Sequence, residues 1–122
     1  MSEARTPILL AEDEAMLRVL AVEMLEDAGF KVFEAGDGVE ALELLQANPD
    51  IALLVSDIKM PRMDGYALVE AGLRFKPGLK VLLMTGYSQD PPPHLLRSAG
   101  VQILHKPFNL ERLCALAAEM TA

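Results

Sequence analysis

Short apolar runs alternate with amphipathic segments along the whole chain. Five runs of four or five mostly apolar residues end abruptly in polar or turn residues, a pattern typical of strands that are buried on both faces. The predicted strands cover residues 8–11, 31–35, 51–55, 80–84 and 101–104.

Apolar residues between these runs recur at steps of three and four, which predicts helices. The first helix covers residues 17–28, with Leu20 on its apolar stripe and Gly29 as its C-terminal stop. The last begins after Asn109, a suitable N-cap, and its stripe includes Leu110. The other predicted helices cover residues 39–45, 65–75 and, after three consecutive prolines, 94–99.

Strands that alternate with helices of this length predict a single α/β domain over residues 1–122. Right-handed crossovers give a doubly wound, five-stranded parallel sheet with five helices on its two faces. In such sheets ligands bind beyond the carboxyl ends of the strands, where the strand order reverses. We therefore expect polar residues that follow the strands to converge on one site.

Composition narrows the classes of partner. The 122 residues are 52% hydrophobic and 24% charged, which is a globular balance, and the net charge is −7. Such an acidic chain is unsuited to binding nucleic acid or an anionic membrane surface. One cysteine excludes an internal disulfide, and neither a signal peptide nor an apolar run of ~20 residues is present. We expect a cytoplasmic protein whose partners are proteins or small phosphodonors.

Three carboxylates are predicted to meet at the binding edge: Glu12 and Asp13 after the first strand, and Asp57 after the third. Because like charges repel, such a cluster requires a proton or a cation, and Mg²⁺ prefers oxygen ligands and a substrate phosphate. Thr85 and Lys106, at the ends of the fourth and fifth strands, offer a hydroxyl and an ammonium for phosphoryl oxygens.

Asp57 is the candidate nucleophile, because an ionised carboxylate accepts a phosphoryl group without a general base. Each residue alone has a plainer explanation: an acidic residue after a strand is commonly a solvated helix cap, and Thr85 is an ordinary residue for a strand end. The combination of the acidic residues with Lys106 favours phosphoryl chemistry.

Four motifs in order cover nearly the whole chain and resemble those of response regulator receiver domains, which have a flavodoxin-like fold. They are residues 8–13 (ILLAED), residues 56–65 (SDIKMPRMDG), residues 84–86 (MTG) and residues 106–108 (KPF). The resemblance implies a signalling switch in a two-component phosphorelay. A phosphohistidine on a sensor histidine kinase or histidine phosphotransfer protein, or a small acyl phosphate, would phosphorylate Asp57.

The resemblance also assigns metal ligands. It implies that Asp13, Asp57 and the backbone carbonyl of Lys59 hold Mg²⁺, and that Glu12 acts through water.

Further residues would contact the phosphoryl group. The resemblance implies that Thr85 and the Gly86 amide bind it and that Lys106 pairs with it. It also implies a cis peptide bond before Pro107, which would aim Lys106 into the site.

One position departs from the family pattern. Ile103 stands three residues before Lys106, where receivers usually carry an aromatic residue that turns inward on phosphorylation. Tyr87 is an alternative source of a ring. The face expected to change for a downstream protein target comprises the fourth predicted helix with His94, the fifth strand, and the fifth predicted helix with Leu110.

Other functions are compatible with parts of the pattern. Ile103 leaves open a pseudo-receiver that binds partners without phosphorylation. An aspartyl-phosphate phosphohydrolase would need a second acid where this chain has Lys59, and a flavin carrier would need a phosphate cradle where the first loop is acidic. We expect no output domain, so the chain either acts alone or comes from a larger protein, and Met1 favours a chain that acts alone.

Overall fold

The computed structural model describes residues 5–86, 100–106 and 108–122. In these ranges helices follow strands along the chain, as the hydrophobic pattern predicts. The strands are β1 (Pro7–Ala11), β2 (Lys31–Ala35), β3 (Leu53–Asp57), β4 (Lys80–Thr85) and β5 (Val101–His105). The helices are α1 (Ala15–Asp27), α2 (Gly38–Ala47), α3 (Gly65–Phe75) and α4 (Leu110–Thr121). The predicted helix at residues 94–99 and the prolines before it lie outside the described residues.

All strand pairs are parallel, and the strand order is β2-β1-β3-β4-β5. The order reverses between β1 and β3, where Ala11 lies opposite Ser56. The residues that follow β1 and those that end β3 are therefore neighbours at the point where ligands bind in such sheets. The doubly wound α/β fold is confirmed.

Alternating residues of each strand enter two cores, one on each face of the sheet, because side chains along a strand point to opposite faces. Leu9 and Leu54 pack with α2 and α3, whereas Ile8 and Val55 pack with α1 and α4. Burial on both faces explains why the strands read as continuous apolar runs.

The third strand differs from its prediction, since it covers Leu53–Asp57 and not residues 51–55. Ile51 is fully buried, yet its amide donates to the Asn48 carbonyl in a turn, and the Ala52 amide donates to the Pro7 carbonyl. Regular pairing with β1 begins at Leu53. The prediction placed the start of β3 two residues too early, because Ile51 is buried but is not a paired strand residue. Asp57 is itself the last residue of β3.

The exposed side of α1 is unusually apolar. Met16, Val19 and Leu20 are 72%, 52% and 46% exposed, and Val19 and Leu20 follow Met16 by three and four residues on one side of the helix. Ala21 and Leu25 face the core instead, so the prediction that Leu20 belongs to the buried stripe is wrong. In the described parts of the chain, no helix combines the length and the apolar character needed to cross a bilayer.

Polar side chains cap the remaining helices. The carboxylates of Asp37 and Asp64 accept hydrogen bonds from the amides of Glu40 and Ala67, at the start of α2 and α3. Asn109 accepts from the Arg112 amide at 2.7 Å and caps α4, as predicted. The capped N-termini of α2 and α3 thus directly follow the loops that leave the sheet after β2 and β3.

Candidate functional site

An open cavity of about 230 Å³ lies at the carboxyl ends of the strands. It is lined by residues from the ends of β3, β4 and β5 and from the loop after β1, as the topology requires. They are Asp13, Asp57, Ile58, Lys59, Thr85, Gly86 and Lys106.

Glu12 lies beside the cavity with Asp13 and Asp57, and one carboxylate oxygen from each of the three lies within 4.8 Å of the others. Glu12 is only 2% exposed. Its Oε2 accepts a hydrogen bond from the Glu14 amide at 3.1 Å, whereas Oε1 is buried and has no hydrogen-bond partner among the described residues. A buried acceptor without a donor favours a bound cation or water at this point.

Burial raises the pKa of Glu12 from its usual 4.5 to about 7, because the charged carboxylate loses its hydration. The Glu14 amide opposes this shift by donating a hydrogen bond to the charged form, whereas the negative charge of Asp57 adds to it. Burial therefore makes Glu12 easier to protonate near neutral pH than an exposed glutamate, and a bound cation would oppose this effect.

Asp57 is held on both of its oxygens. Oδ1 accepts from the Ile58 amide at 2.8 Å, and Oδ2 pairs with Nζ of Lys106 at 2.9 Å. Burial alone would lower the pKa of Lys106, but the hydrogen bond to Asp57 and the charge of Asp57 outweigh that cost and raise it. The ammonium is thus charged at neutral pH and faces the carboxylate predicted to be the nucleophile.

The fourth and fifth strands place the other polar groups. The Lys106 amide donates to the Thr85 carbonyl at 2.7 Å, which continues the β4–β5 ladder to the edge of the cavity. The Thr85 side chain is buried, and its hydroxyl lies 3.4 Å from the Gly86 carbonyl oxygen. A hydroxyl and an ammonium therefore border the same space as the carboxylates.

Gly65, the first residue of α3, lets the helix start directly against the strand that carries Asp57. A Cβ atom at this position would lie 2.5 Å from the Asp57 carbonyl oxygen and 2.9 Å from the Ile58 Cα. The Gly65 amide donates to the Ile58 carbonyl at 2.7 Å, which closes the loop between β3 and α3. A larger residue would displace the backbone of the candidate nucleophile.

The structure brings together every residue predicted for the metal and phosphoryl positions, although their roles stay predictions. The Lys59 side chain is exposed, which suits a residue expected to contribute only its carbonyl. The two described residues of the predicted partner face lie away from the cavity: Ile103 is half-buried against the α2–α3 core and Leu110 against the α1–α4 core. Tyr87, His94 and Pro107 lie outside the described residues.

Sequence reasoning missed two groups that position the carboxylates. Arg18 in α1 donates to the Glu12 carbonyl at 2.7 Å and also pairs with Glu34. Ile58 acts through its backbone amide, which no side-chain motif reveals. For Arg18 the sequence did offer a signal, since a basic residue stands one turn into α1, just after an acidic loop.

The donor set fits a hard divalent cation better than a softer metal. It consists of three carboxylates, without a thiolate or imidazole in the cluster of described residues. With Thr85, Gly86 and Lys106 opposite, the cavity can accommodate an anionic tetrahedral group beside the carboxylates.

Comparison with known proteins identifies the family of this arrangement. Residues 8–118 match the family model described as response regulator receiver domain. The response regulator receiver protein CpdR of Brucella abortus (strain 2308) is 39% identical over 109 residues, which cover 87% of this chain and 88% of CpdR.

The sensor kinase CckA of the same organism is 36% identical over 115 residues, which cover 93% of this chain but only 12% of the kinase. A crystal structure of the receiver domain of hybrid histidine kinase CckA superposes with a TM-score of 0.82 at 32% identity, covering 95% of this chain and 99% of that domain. The chain therefore belongs to the response regulator receiver domain family of two-component regulatory systems.

Proposed function

We propose that this chain is a phosphorylatable switch in which Asp57 accepts a phosphoryl group from a phosphohistidine on a sensor histidine kinase or histidine phosphotransfer protein. The observation that carries the proposal is the environment of Asp57. Its carboxylate lies near the Lys106 ammonium, at 2.9 Å, and near an acidic pair in which one buried Glu12 oxygen accepts no hydrogen bond from the described part of the chain. Membership of the receiver family supports the same assignment.

Transfer forms a bond between a carboxylate oxygen of Asp57 and phosphorus and breaks the bond between phosphorus and the histidine nitrogen of the donor. The electron pair of the broken bond stays on the imidazole, which becomes neutral by taking up or retaining a proton. Lys106 then pairs with a phosphoryl oxygen, and Thr85 and the Gly86 amide bind other oxygens. No general base is required, because Asp57 attacks as an ionised carboxylate.

The metal position is proposed for Mg²⁺, held by Asp13, Asp57 and the Lys59 carbonyl, with Glu12 acting through water. Bound there, the ion would neutralise charge on the transferring group. The residues of the chain supply the rest: Ile58 orients the acceptor carboxylate, and Arg18 holds the backbone of Glu12 in place.

The decisive experiment is intact mass measurement after incubation with Mg²⁺ and acetyl phosphate. The wild type should gain one phosphoryl group, and Asp57→Asn should gain none. Asp50→Asn, which changes an exposed aspartate outside the cavity, is the matched control and should behave like the wild type. A wild type that gains no phosphoryl group from acetyl phosphate or from a kinase would refute the proposal and favour the pseudo-receiver.

The apolar side of α1 supports a protein as the principal donor. Exposed apolar side chains in one patch are typical of protein-binding surfaces. The patch of Met16, Val19 and Leu20 lies in the first two turns of α1, which begins two residues after Asp13. The output surface is proposed to lie on the other side of the site, around β5 and α4, where Ile103 and Leu110 lie.

The proposed docking of the donor on α1 can be tested with the Met16→Lys variant. The control is Phe75→Lys, which changes a comparably exposed residue at the far end of α3. Phosphorylation by a phosphorylated histidine phosphotransfer protein should slow about tenfold in Met16→Lys. Phosphorylation by acetyl phosphate should not change in either variant. Equal rates with the protein donor for Met16→Lys and the wild type would exclude this face as the docking site.

A further inference from the structure

The loop between β3 and α3 is tied to the start of α2 by a second set of contacts that the phosphoryl chemistry does not use. Arg62 and Asp37, 25 residues apart, form two hydrogen bonds of 3.0 Å, from Nε to Oδ2 and from Nη2 to Oδ1, and Nη2 also lies 2.9 Å from Oδ2. Two charge-assisted hydrogen bonds fix the relative orientation of the two side chains more tightly than a single contact would.

Arg62 adopts a left-handed backbone conformation, with φ of 68°. This region disfavours side chains other than glycine and asparagine by about 1 kcal/mol. The conformation turns the Arg62 side chain back toward Asp37, while the flanking Met60 and Met63 side chains pack on the α2–α3 core. The ion pair therefore helps to stabilise a backbone turn that the residue itself disfavours.

A second contact joins the same two segments. Gly38, the first residue of α2, lies so close to Met63 that a Cβ atom would overlap the Met63 carbonyl oxygen. Asp37 at the same time caps α2 through the Glu40 amide, so its carboxylate is anchored to the helix when it pairs with Arg62. The hydrogen bonds from Glu40 and Arg62 outweigh the effect of desolvation and keep the pKa of Asp37 low, so the carboxylate stays charged at neutral pH.

We propose that the Arg62–Asp37 ion pair is a positioning device for the metal site, which fixes the loop so that the Lys59 carbonyl is presented toward Asp57 before the cation arrives. Lys59 lines the cavity and lies three residues before Arg62. Loss of the ion pair should free the loop, and cation binding should then include the cost of ordering it. The inference rests on the proposed Mg²⁺ site.

The test is a titration of the ¹⁵N-labelled protein with Mg²⁺ alone, followed by the amide resonances of Ile58, Lys59 and Gly86. Arg62→Asn keeps a residue that tolerates the left-handed conformation and removes the ion pair. Asp37→Asn keeps a helix cap and removes the charge. Because the pair is partly exposed, each variant should weaken Mg²⁺ binding about two- to fivefold.

The double variant tests whether Arg62 and Asp37 affect Mg²⁺ binding through the same ion pair. Because both substitutions remove one interaction, Arg62→Asn combined with Asp37→Asn should bind Mg²⁺ no more weakly than either single variant. Amide relaxation of residues 58–64 should show larger motion in all three proteins. Arg74→Asn, which changes an exposed arginine in the last turn of α3, should leave both measurements at wild-type values.

Different failures have different meanings. Wild-type Mg²⁺ affinity in Arg62→Asn, additive losses in the double variant, or the same loss in Arg74→Asn would each refute the positioning role and leave the proposed function intact. Absence of Mg²⁺ binding by the wild type would refute the metal site itself, and phosphorylation with acetyl phosphate would then be expected to fail as well.

Discussion

Glu12→Gln tests the electrostatic state of the site directly, because it removes a charge and keeps the size of the side chain. Folding raises the pKa of Glu12 from 4.5 to about 7, so the folded protein binds more protons than the unfolded chain between these two pH values. In the absence of divalent cations, the stability contributed by this group is complete below pH 4.5. It falls as the pH rises through about 7 and is constant above that pH.

The size of the effect follows from the shift, since each pKa unit corresponds to about 1.4 kcal/mol. Ionised Glu12 therefore lowers the free energy of unfolding by about 3 kcal/mol above pH 8 relative to pH 4.5. The Glu12→Gln variant should not show this decrease in the free energy of unfolding as the pH rises. Other groups titrate over the same range, so the informative quantity is the difference between wild type and variant as a function of pH.

The assay is urea unfolding in EDTA at pH 5 and pH 8.5 for the wild type, Glu12→Gln and Glu23→Gln, an exposed control on α1. The stability difference between Glu12→Gln and the wild type should move in favour of the variant by about 2–3 kcal/mol between the two pH values, with no such change for Glu23→Gln. Saturating Mg²⁺ at pH 8.5 should stabilise the wild type more than Glu12→Gln. A difference that is independent of pH would refute the argument from burial.

Three further predictions concern the backbone and the charges around the acceptor. Gly65→Ala should lower the free energy of unfolding by about 1–3 kcal/mol in urea unfolding, because its Cβ would press on Asp57, whereas Gly78→Ala, with open space around it, should change it by less than about 0.5 kcal/mol. Lys106→Met should cost about 1–2 kcal/mol at pH 8, and a double-mutant cycle should show that most of this loss disappears in the Asp57→Asn background. Asp64→Ala should cost about 1 kcal/mol through loss of the α3 cap and Asp64→Asn only a few tenths, as measured by thermal unfolding.

Much of the fold and the candidate site was predictable because parallel strands end at a common edge. Once the strands were recognised from their apolar runs, Asp13, Asp57 and Lys106 could be assigned to the same edge of the sheet, where the structure places them around one cavity. The limits of the strands were harder to predict, because hydrophobic periodicity reports burial and not hydrogen bonding. Ile51, for example, is as buried as a strand residue but lies in a turn.

Features that depend on long-range packing were not predictable. Leu20 shares the spacing of the buried stripe, yet it is exposed because the sheet covers only the side of α1 that carries Ala21 and Leu25. The pair of Arg62 with Asp37 joins two loops whose separation depends on the order of the strands. A single sequence indicates spacing along the chain but not which loops become neighbours.

The 49 residues that separate Asp57 from Lys106 have a consequence for folding during synthesis. The ribosome completes all three carboxylates of the cluster before it makes the lysine, an interval of roughly 2 to 10 seconds at ordinary rates of translation. Until then the three carboxylates lack the ammonium that pairs with Asp57 in the folded domain. We expect the pairing of β5 with β4 to complete the edge of the sheet and to bring Lys106 to Asp57 in the same step, which would couple the end of folding to the neutralisation of the site.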